Sequence, residues 1–467
     1  MNVSLRIQTI LILTALMLSA CSPFAPAVRS FAEDPLPERF SLYPVQAPDP
    51  APWWTALNSS ALNELLDQAF AGNLSLKQAW ARMEQARAVA VKAGADLYPD
   101  LSVTGSTNHA RQRSENGSAD RFTTRNYAIG LSTSYEIDLW GRIRSGQKAE
   151  SLTAEAARED WNATVIALAA DVATTWAEIL SRQMQRRLLE QQLETNRTYL
   201  ELVNLRYRKG IVTALDVFQQ QQVVEEIRSQ IPVVEARERL GRNQLAVLLG
   251  QVPGTDLPIG AENLPTLDPL PAAGLPADLL ANRPDVRAAG LRLEAADWQL
   301  AAARANRLPA ISLTGTAGYG PADMDLMLDN WILSLASNLA APILDGGQRA
   351  AEVDRSRAVI AENLAAYRES VLVAIREVED ALASELYQRR YIAALERQLE
   401  AARHALVEAR EQYRKGVDDY LPVLTQIVAV QNLERNLIEQ QTQLLIDRID
   451  LFEALGGNWT ETVVAEK

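Results

Sequence analysis

Tyr207-Arg208-Lys209-Gly210 recurs as Tyr413-Arg414-Lys415-Gly416, 206 residues further along the chain. Pro99-Asp100-Leu101-Ser102-Val103-Thr104-Gly105 is answered by Pro309-Ala310-Ile311-Ser312-Leu313-Thr314-Gly315 at an offset of 210, and Leu248-Leu249-Gly250 by Ala454-Leu455-Gly456 at 206. Three separated matches in one order mean a duplicated half. Each half carries the same succession: a helical stretch (about 74–98; about 285–308), two strand-like runs around a polar gap, a very long helical stretch, a glycine-containing turn and a shorter helix. The unit is helix, hairpin, long helix, turn, helix. It places a first repeat over 53–257 and a second over 258–457, with tip turns at about 208–214 and 414–421.

The long stretches run from about Ser145 to Arg208 and from about Gln348 to Arg414, with no proline inside either. At 1.5 Å per residue, some sixty-odd residues make a rod of roughly 95 Å. Leu189, Leu193, Asn196, Leu200, Val203 and Tyr207 step alternately by four and three, as do Leu395, Leu399, Ala402, Leu406, Ala409 and Tyr413. Both rows read as coiled-coil seams. The two shorter helices of each half (74–98 with 213–249; 285–308 with 420–455) together approach the length of the long one, which predicts a pair stacked end to end beside it.

The strand-like runs, at about 101–137 and 310–343, bear on copy number. Leu101 to His109 and Asn126 to Ile137 alternate apolar and polar residues, with Tyr127, Ile129, Leu131, Thr133 and Tyr135 on one face; Arg111 to Arg125 reads as the polar loop between them. Runs of 9–12 residues suit tilted strands crossing an outer membrane. Four strands are too few to close a barrel; two copies supply eight, about the number that side chains fill, and three supply twelve, enough for a lumen. A homotrimer is expected. The other reading of the alternation alone is a soluble two-hairpin sheet.

Composition removes most chemistry. The 467 residues include two histidines, His109 and His404, and one cysteine, Cys21, which excludes His/Cys metal clusters, Cys–His nucleophiles and an intramolecular disulfide. A formal charge of −13 argues against nucleic acid as a partner. Hydrophobic residues reach 48% with only 6% aromatics, the composition of long packed helices. No cofactor, no metal and no catalytic pair is expected, so the chain does not read as an enzyme. Gly315-Thr316-Ala317-Gly318-Tyr319-Gly320 lacks dinucleotide-binding spacing.

The N-terminus reads as an address. Arg6, an apolar stretch from Ile7 to Leu18 and small residues before Cys21 make a secretory signal over 1–20. Leu18-Ser19-Ala20-Cys21 resembles a lipobox, which leaves Cys21 as the lipidated first residue; the alternative is an ordinary signal with Cys21 as a stray thiol. Residues 21–52, rich in proline and alanine, read as an extended tether, and 458–467 as a tail.

Trp53-Trp54 followed by Leu62, Leu65, Ala69, Asn73, Leu76, Ala79 and Ala86-Arg87, the junction Tyr135-Glu136-Ile137-Asp138-Leu139-Trp140-Gly141-Arg142, and Arg283-Pro284-Asp285-Val286-Arg287 together resemble the TolC-like outer-membrane efflux channels. The similarity is to their lipoprotein branch, the NodT-type outer-membrane factors of RND efflux systems, and covers roughly residues 50–457. It implies a mainly α fold with a membrane β-barrel part: a homotrimer forming a 12-stranded barrel in the outer membrane on a 12-helix periplasmic α-barrel. It also implies a passive exit duct for small molecules, lipid-anchored in the outer membrane and docked through a periplasmic adaptor to an inner-membrane RND-type transporter. A lipid-anchored adhesive coiled coil is the competing class, and the duplicated hairpin speaks against it.

The two tip turns then become the candidate site. The resemblance implies a constricted gate held by a bond from Tyr413 to Asp216; the local alternative is a seam tyrosine and a helix N-terminal charge. Where the family pattern has acids at the second tip, this chain has Pro422 and Thr425, and its acids stand earlier as Asp418 and Asp419. Asp418, Asp419 and Leu421 are candidates for the constriction, or else solvated turn residues. Lys209, Gly210, Ile211 and Val212, with Lys415, Gly416 and Val417, are the candidate adaptor contacts, and Gly210 and Gly416 are expected to end their helices in the left-handed region.

Overall fold

The computed structural model describes residues 23–27, 37, 39–41, 53–113, 121–260, 263–267, 270, 276–322, 328–329 and 331–457. The signal segment 1–20, Cys21, most of the tether and the tail 458–467 lie outside the described residues. After a 3-10 turn at Trp53–Leu57 come α1 (Ser60–Gly72), α2 (Leu74–Ala95), β1 (Asp100–Arg113), β2 (Arg121–Ile137), α3 (Arg142–Arg208) and α4 (Ala214–Leu248). The second half repeats the order with α5 (Pro284–Ala305), β3 (Ala310–Ala322), β4 (Trp331–Ala340), α6 (Gln348–Lys415) and α7 (Tyr420–Leu455). The long helices have 67 and 68 residues.

Two expectations change. β1 and β2 run through much of the stretch read as a loop, pairing from His109 with Arg125 out to Arg113 with Arg121. Backbone groups make the ladder, so an Arg/Thr-rich composition alters the surface without stopping the pairing. Tyr207 is exposed and leaves the seam, whereas Leu189, Leu193, Asn196 and Val203 are buried in it.

The sequence repeats are not the compact units. Taking the described residues only, one unit draws on 23–27, Ala81–Arg158 and Ala288–Glu369, the other on the described residues from 37 to Trp80, on Glu159–Arg287 and on 370–457. Each repeat contributes to both, because each long helix supplies residues to both.

The first unit holds an antiparallel sheet in the order β1-β2-β3-β4. Its register aligns Leu101, Val103, Ile129, Leu131, Ile137, Ile311, Tyr319, Trp331, Leu333, Leu335 and Leu339 on one face. Ser102, Thr104, Ser132, Ser134, Ser312, Thr314, Thr316, Ser334 and Asn338 occupy the other. Gly130 and Gly318 pair across β2 and β3, where a Cβ on Gly318 would lie 2.5 Å from the Ile129 carbonyl oxygen. Each strand pair hands over to its long helix through an aspartate. Asp138 accepts from the Ile143 and Arg144 amides, and Asp345 from those of Gly347 and Arg349, caps that offset the orphan N–H groups of α3 and α6. The Arg349 amide holds the Asp345 carboxyl below the usual carboxylate range. Beneath the sheet, Leu293, Ala296, Leu300 and Ala303 of α5 pack on Val353 and Ile360 of α6.

The second unit is a helical core. Trp53 stacks on Phe452 with centroids 5.1 Å apart and meets Trp54 edge-on at 5.7 Å, so the entry segment is locked to the end of α7. Trp176 donates from Nε1 to the Ile259 carbonyl at 3.0 Å, pinning the segment that leaves α4. α3 contains a stretch apolar enough to cross a membrane, but 67% of that stretch is buried in the protein, so packing accounts for it. Inside this core Arg448 of α7 donates to Glu385 of α6 at 2.8 and 2.5 Å, and both side chains are almost fully buried.

Removing one partner of such a pair strands the other charge, at a cost of about 3–5 kcal/mol, whereas an apolar pair of similar volume is close to neutral. Arg389 also donates to Glu385 at 2.9 Å, so Arg448→Ala should lower the denaturation midpoint by less than that full cost, and Arg448→Met combined with Glu385→Leu should restore most of it, read by circular dichroism during heating.

Candidate functional site

Both tip turns belong to the second unit and share one apolar cluster. Its buried part includes Val223, Val224 and Ile227 of α4 and Tyr420, Val423, Leu424 and Ile427 of α7, with residues of both long helices, and Val212 and Tyr413 pack against it. The helices stop where expected: Gly210 and Gly416 take φ of 72° and 73°. The Ile211 amide then reaches back to the Arg206 carbonyl, and Val417 to Gln412, the six-to-one closure that a left-handed glycine permits.

The two turns differ at equivalent positions. Thr213 caps α4 and forms a capping box with Asp216: its amide and hydroxyl donate to Asp216 Oδ2 at 2.8 Å each, and the Asp216 amide donates back at 3.3 Å. In the second turn Asp419 is the cap and Pro422 stands in place of Asp216. Proline has no N–H for the cap to accept, so Asp419 makes no capping bond and its carboxylate is left exposed.

The expected bond between Tyr413 and Asp216 is not formed. The Asp216 carboxylate is engaged with Thr213, and the Tyr413 hydroxyl is buried without a hydrogen-bond partner among the described residues. Burial pushes the Tyr413 phenol up, opposed by Arg206, whose guanidinium lies 4.3 Å from the ring centroid, and the Asp216 charge adds to the rise.

The phenol that does bridge the turns is Tyr420, which sequence reasoning passed over. It is buried, and its O–H donates to Gln220 Oε1 at 2.8 Å. Burial pushes it far above the usual phenol range. Gln220 donates from Nε2 to the Asn196 carbonyl and to Oδ1, at 2.9 and 3.1 Å, and Asn196 donates to Gln431 Oε1 at 3.0 Å. Gln192 continues the row, donating to the Gln431 carbonyl at 3.2 Å and accepting from Arg435. A buried polar ladder thus ties α3 and α4 to α7. Its signal in the sequence was Asn196, a polar residue at a seam position.

Lys209, Gly210, Ile211, Lys415, Gly416 and Val417 are exposed, and Val212 is half-buried. Asp418 and Asp419, ahead of α7, and Leu421, Pro422 and Thr425 on it are exposed too, whereas Tyr420, Val423 and Leu424 are buried. Leu215 and Phe218, not foreseen, add apolar surface to the first turn. Among the described residues no group of acids, histidines or cysteines could hold a metal ion.

The family model for outer membrane efflux proteins matches residues 65–251 and 275–457. The chain is 32% identical over 459 residues to the pyoverdine export outer membrane protein OpmQ of Pseudomonas putida, covering 95% of this chain and 96% of that protein. It is 33% identical over 413 residues to the toluene efflux pump outer membrane protein TtgI of Pseudomonas putida, covering 86% of each. The solved outer-membrane channel OprN superposes with a TM-score of 0.87 at 25% identity, over 94% of this chain and 100% of that one.

Tyr413→Phe should leave the stability of the tips unchanged or slightly raised, since its hydroxyl makes no bond. Tyr420→Phe should weaken them by about 1–3 kcal/mol by leaving Gln220 Oε1 buried without a donor. Hydrogen exchange of the amides in the first turns of α4 and α7 measures both.

Proposed function

The chain belongs to the outer membrane efflux protein family, and we propose that it works as the trimeric exit duct of a tripartite pump, closed at its helical tips until a partner docks. The observation that carries the trimer is the sheet. β1 and β4 are edge strands of 14 and 10 residues, and the sheet has one coherent apolar face. Within a bilayer every backbone N–H and C=O needs a partner, so such edges have to meet edges of other copies. Three copies supply twelve strands, with the Ser/Thr/Asn/Gly face turned to the lumen. From Ile137 to Tyr127 the apolar face of β2 spans ten residue steps, about 33 Å along the strand or about 25 Å of height at a barrel tilt, the thickness of an outer-membrane apolar band.

The lipid anchor is Cys21. Phe24 and Pro26, close behind it, line a groove with Leu300, Ala301 and Ile360 on α5 and α6 within the strand-bearing unit, which suits an acylated cysteine held beside the membrane.

Asp418, Asp419 and Leu421 form the constriction, with Asp419 freed for this by Pro422. Tyr413 and Asp216 support it through packing and capping, and the ladder from Tyr420 to Gln431 holds the tips in register. The turns carrying Lys209, Gly210, Ile211, Val212, Lys415, Gly416 and Val417 receive a periplasmic adaptor, which links the duct to an inner-membrane transporter of the RND type. The relatives export pyoverdine and toluene; by analogy the cargo here is a small organic molecule selected by the pump.

Planar-bilayer recording of the purified trimer tests this. The native protein should show a small conductance, raised several-fold by Tyr420→Phe with Gln220→Leu and unchanged by Tyr413→Phe alone. Absence of conductance from a folded trimer would sink the duct. Replacing Asp418 and Asp419 by lysine should reverse the ion preference; if selectivity stays the same, both are only turn acids.

A further inference from the structure

The outward face of the first hairpin changes character at its loop end. Along β1 the apolar positions Leu101 and Val103 give way to His109 and Arg111, and along β2 Ile129 and Tyr127 give way to Arg125. All of these are odd-numbered and so share the face that carries Leu131, Leu333 and Leu335. His109 is directly opposite Arg125, and Arg111 lies one step diagonally from it, so two guanidinium groups flank an imidazole within roughly 5–8 Å of strand surface. All three side chains are exposed, and neither arginine has an ion pair among the described residues. The ladder ends with Arg113 paired to Arg121.

This is not the ordinary surface of the chain. From Thr107 to Arg113 and from Arg121 to Tyr127 there are four arginines and no acid, in a protein whose formal charge is −13. The connecting loop adds Glu115 and Asp120, which leaves the hairpin tip net positive. The height is also defined. Tyr127, Tyr319 and Trp331 end the apolar face on β2, β3 and β4, with Tyr319 paired to Trp331, in the manner of an aromatic girdle at a membrane interface. His109, Arg111 and Arg125 stand immediately beyond it, on the side away from the helices, where outer-leaflet headgroups lie. Guanidinium forks bind phosphate oxygens in pairs and reach the interface on long apolar stems.

We propose that Arg111 and Arg125, with His109 between them, form a docking site on the outside of the barrel for the phosphates of a phosphorylated outer-leaflet glycolipid. The proposal rests on the membrane-spanning reading of the sheet, since only a closed barrel turns this face to lipid. A phosphorylated sugar headgroup fits better than an ordinary phospholipid because the site presents separate cations across two strands, which a headgroup with two spaced phosphates engages together. Binding there would hold each copy upright in the leaflet and would not touch the lumen.

The test uses the full-length trimer in nanodiscs of zwitterionic phospholipid, titrated with bisphosphorylated lipid A, with its dephosphorylated form, and with phosphatidylglycerol, and read by native mass spectrometry. The native chain should bind the bisphosphorylated glycolipid at least tenfold more tightly than either other lipid. Arg111→Ser with Arg125→Ser should lose that preference, and Arg111→Lys with Arg125→Lys should keep most of it. Single-channel conductance of each variant, equal to native, separates this site from the duct itself. Undiminished preference in the serine variant, or equal binding of phosphatidylglycerol by the native chain, would overturn the proposal.

Discussion

The unpaired outer edges of β1 and β4 are the constraint on which the rest depends. Each strand is paired on one side only, and each presents its free backbone groups where the apolar face of the sheet demands lipid. Water can satisfy such an edge in solution; hydrocarbon cannot. In the proposed duct these edges are closed by the edges of other copies. Once copies must meet edge to edge, the alternation along four strands acquires its meaning, with one face for lipid and the other, small and hydroxyl-bearing, for a lumen.

A second constraint works at the far ends of the helices. Heptad seams of leucine and alanine are permissive about register, since a slip of one repeat exchanges one apolar residue for another. The row from Tyr420 through Gln220 and Asn196 to Gln431 is not permissive: each amide is buried and bonded to a particular partner on another helix. A slip would leave several of these groups unsatisfied at once, each at a cost of about 1–3 kcal/mol. The duplication is broken just here. The position in the second long helix equivalent to Asn196 is Ala402, and the position equivalent to Asp216 is Pro422. The first helix pair thus supplies Asn196 and Gln220 of the lock and the closed cap, while the second supplies Tyr420 and Gln431 of the lock together with the uncapped Asp419 and the exposed Leu421.

Much of the architecture was legible in the chain because it rests on periodicity and repetition. The duplicated order, the long helices without proline and the glycine stops at 210 and 416 follow from spacing and from single-residue backbone preferences that neighbours in space do not alter. The length of the first hairpin was less legible, since arginine and threonine can line either a loop or a ladder whose hydrogen bonds belong to the backbone. The bond expected from Tyr413 to Asp216 was misread, since which partner a carboxylate takes depends on what lies within reach.

What the sequence determined by itself was the set of elements, their order and the faces they would bury, because these depend on intervals of two and of three to four residues along the chain. What only the tertiary structure decided was partnership. Asp216 has a choice between Thr213, three residues away, and a phenol from the other repeat; the near hydroxyl and amide engage it first, at little entropic cost. Tyr420, Gln220, Asn196 and Gln431 stand far apart in sequence, and nothing in their spacing pairs them. They meet because apolar packing has already brought α3, α4 and α7 together, and a polar group carried into that interior must bond to whatever lies within reach.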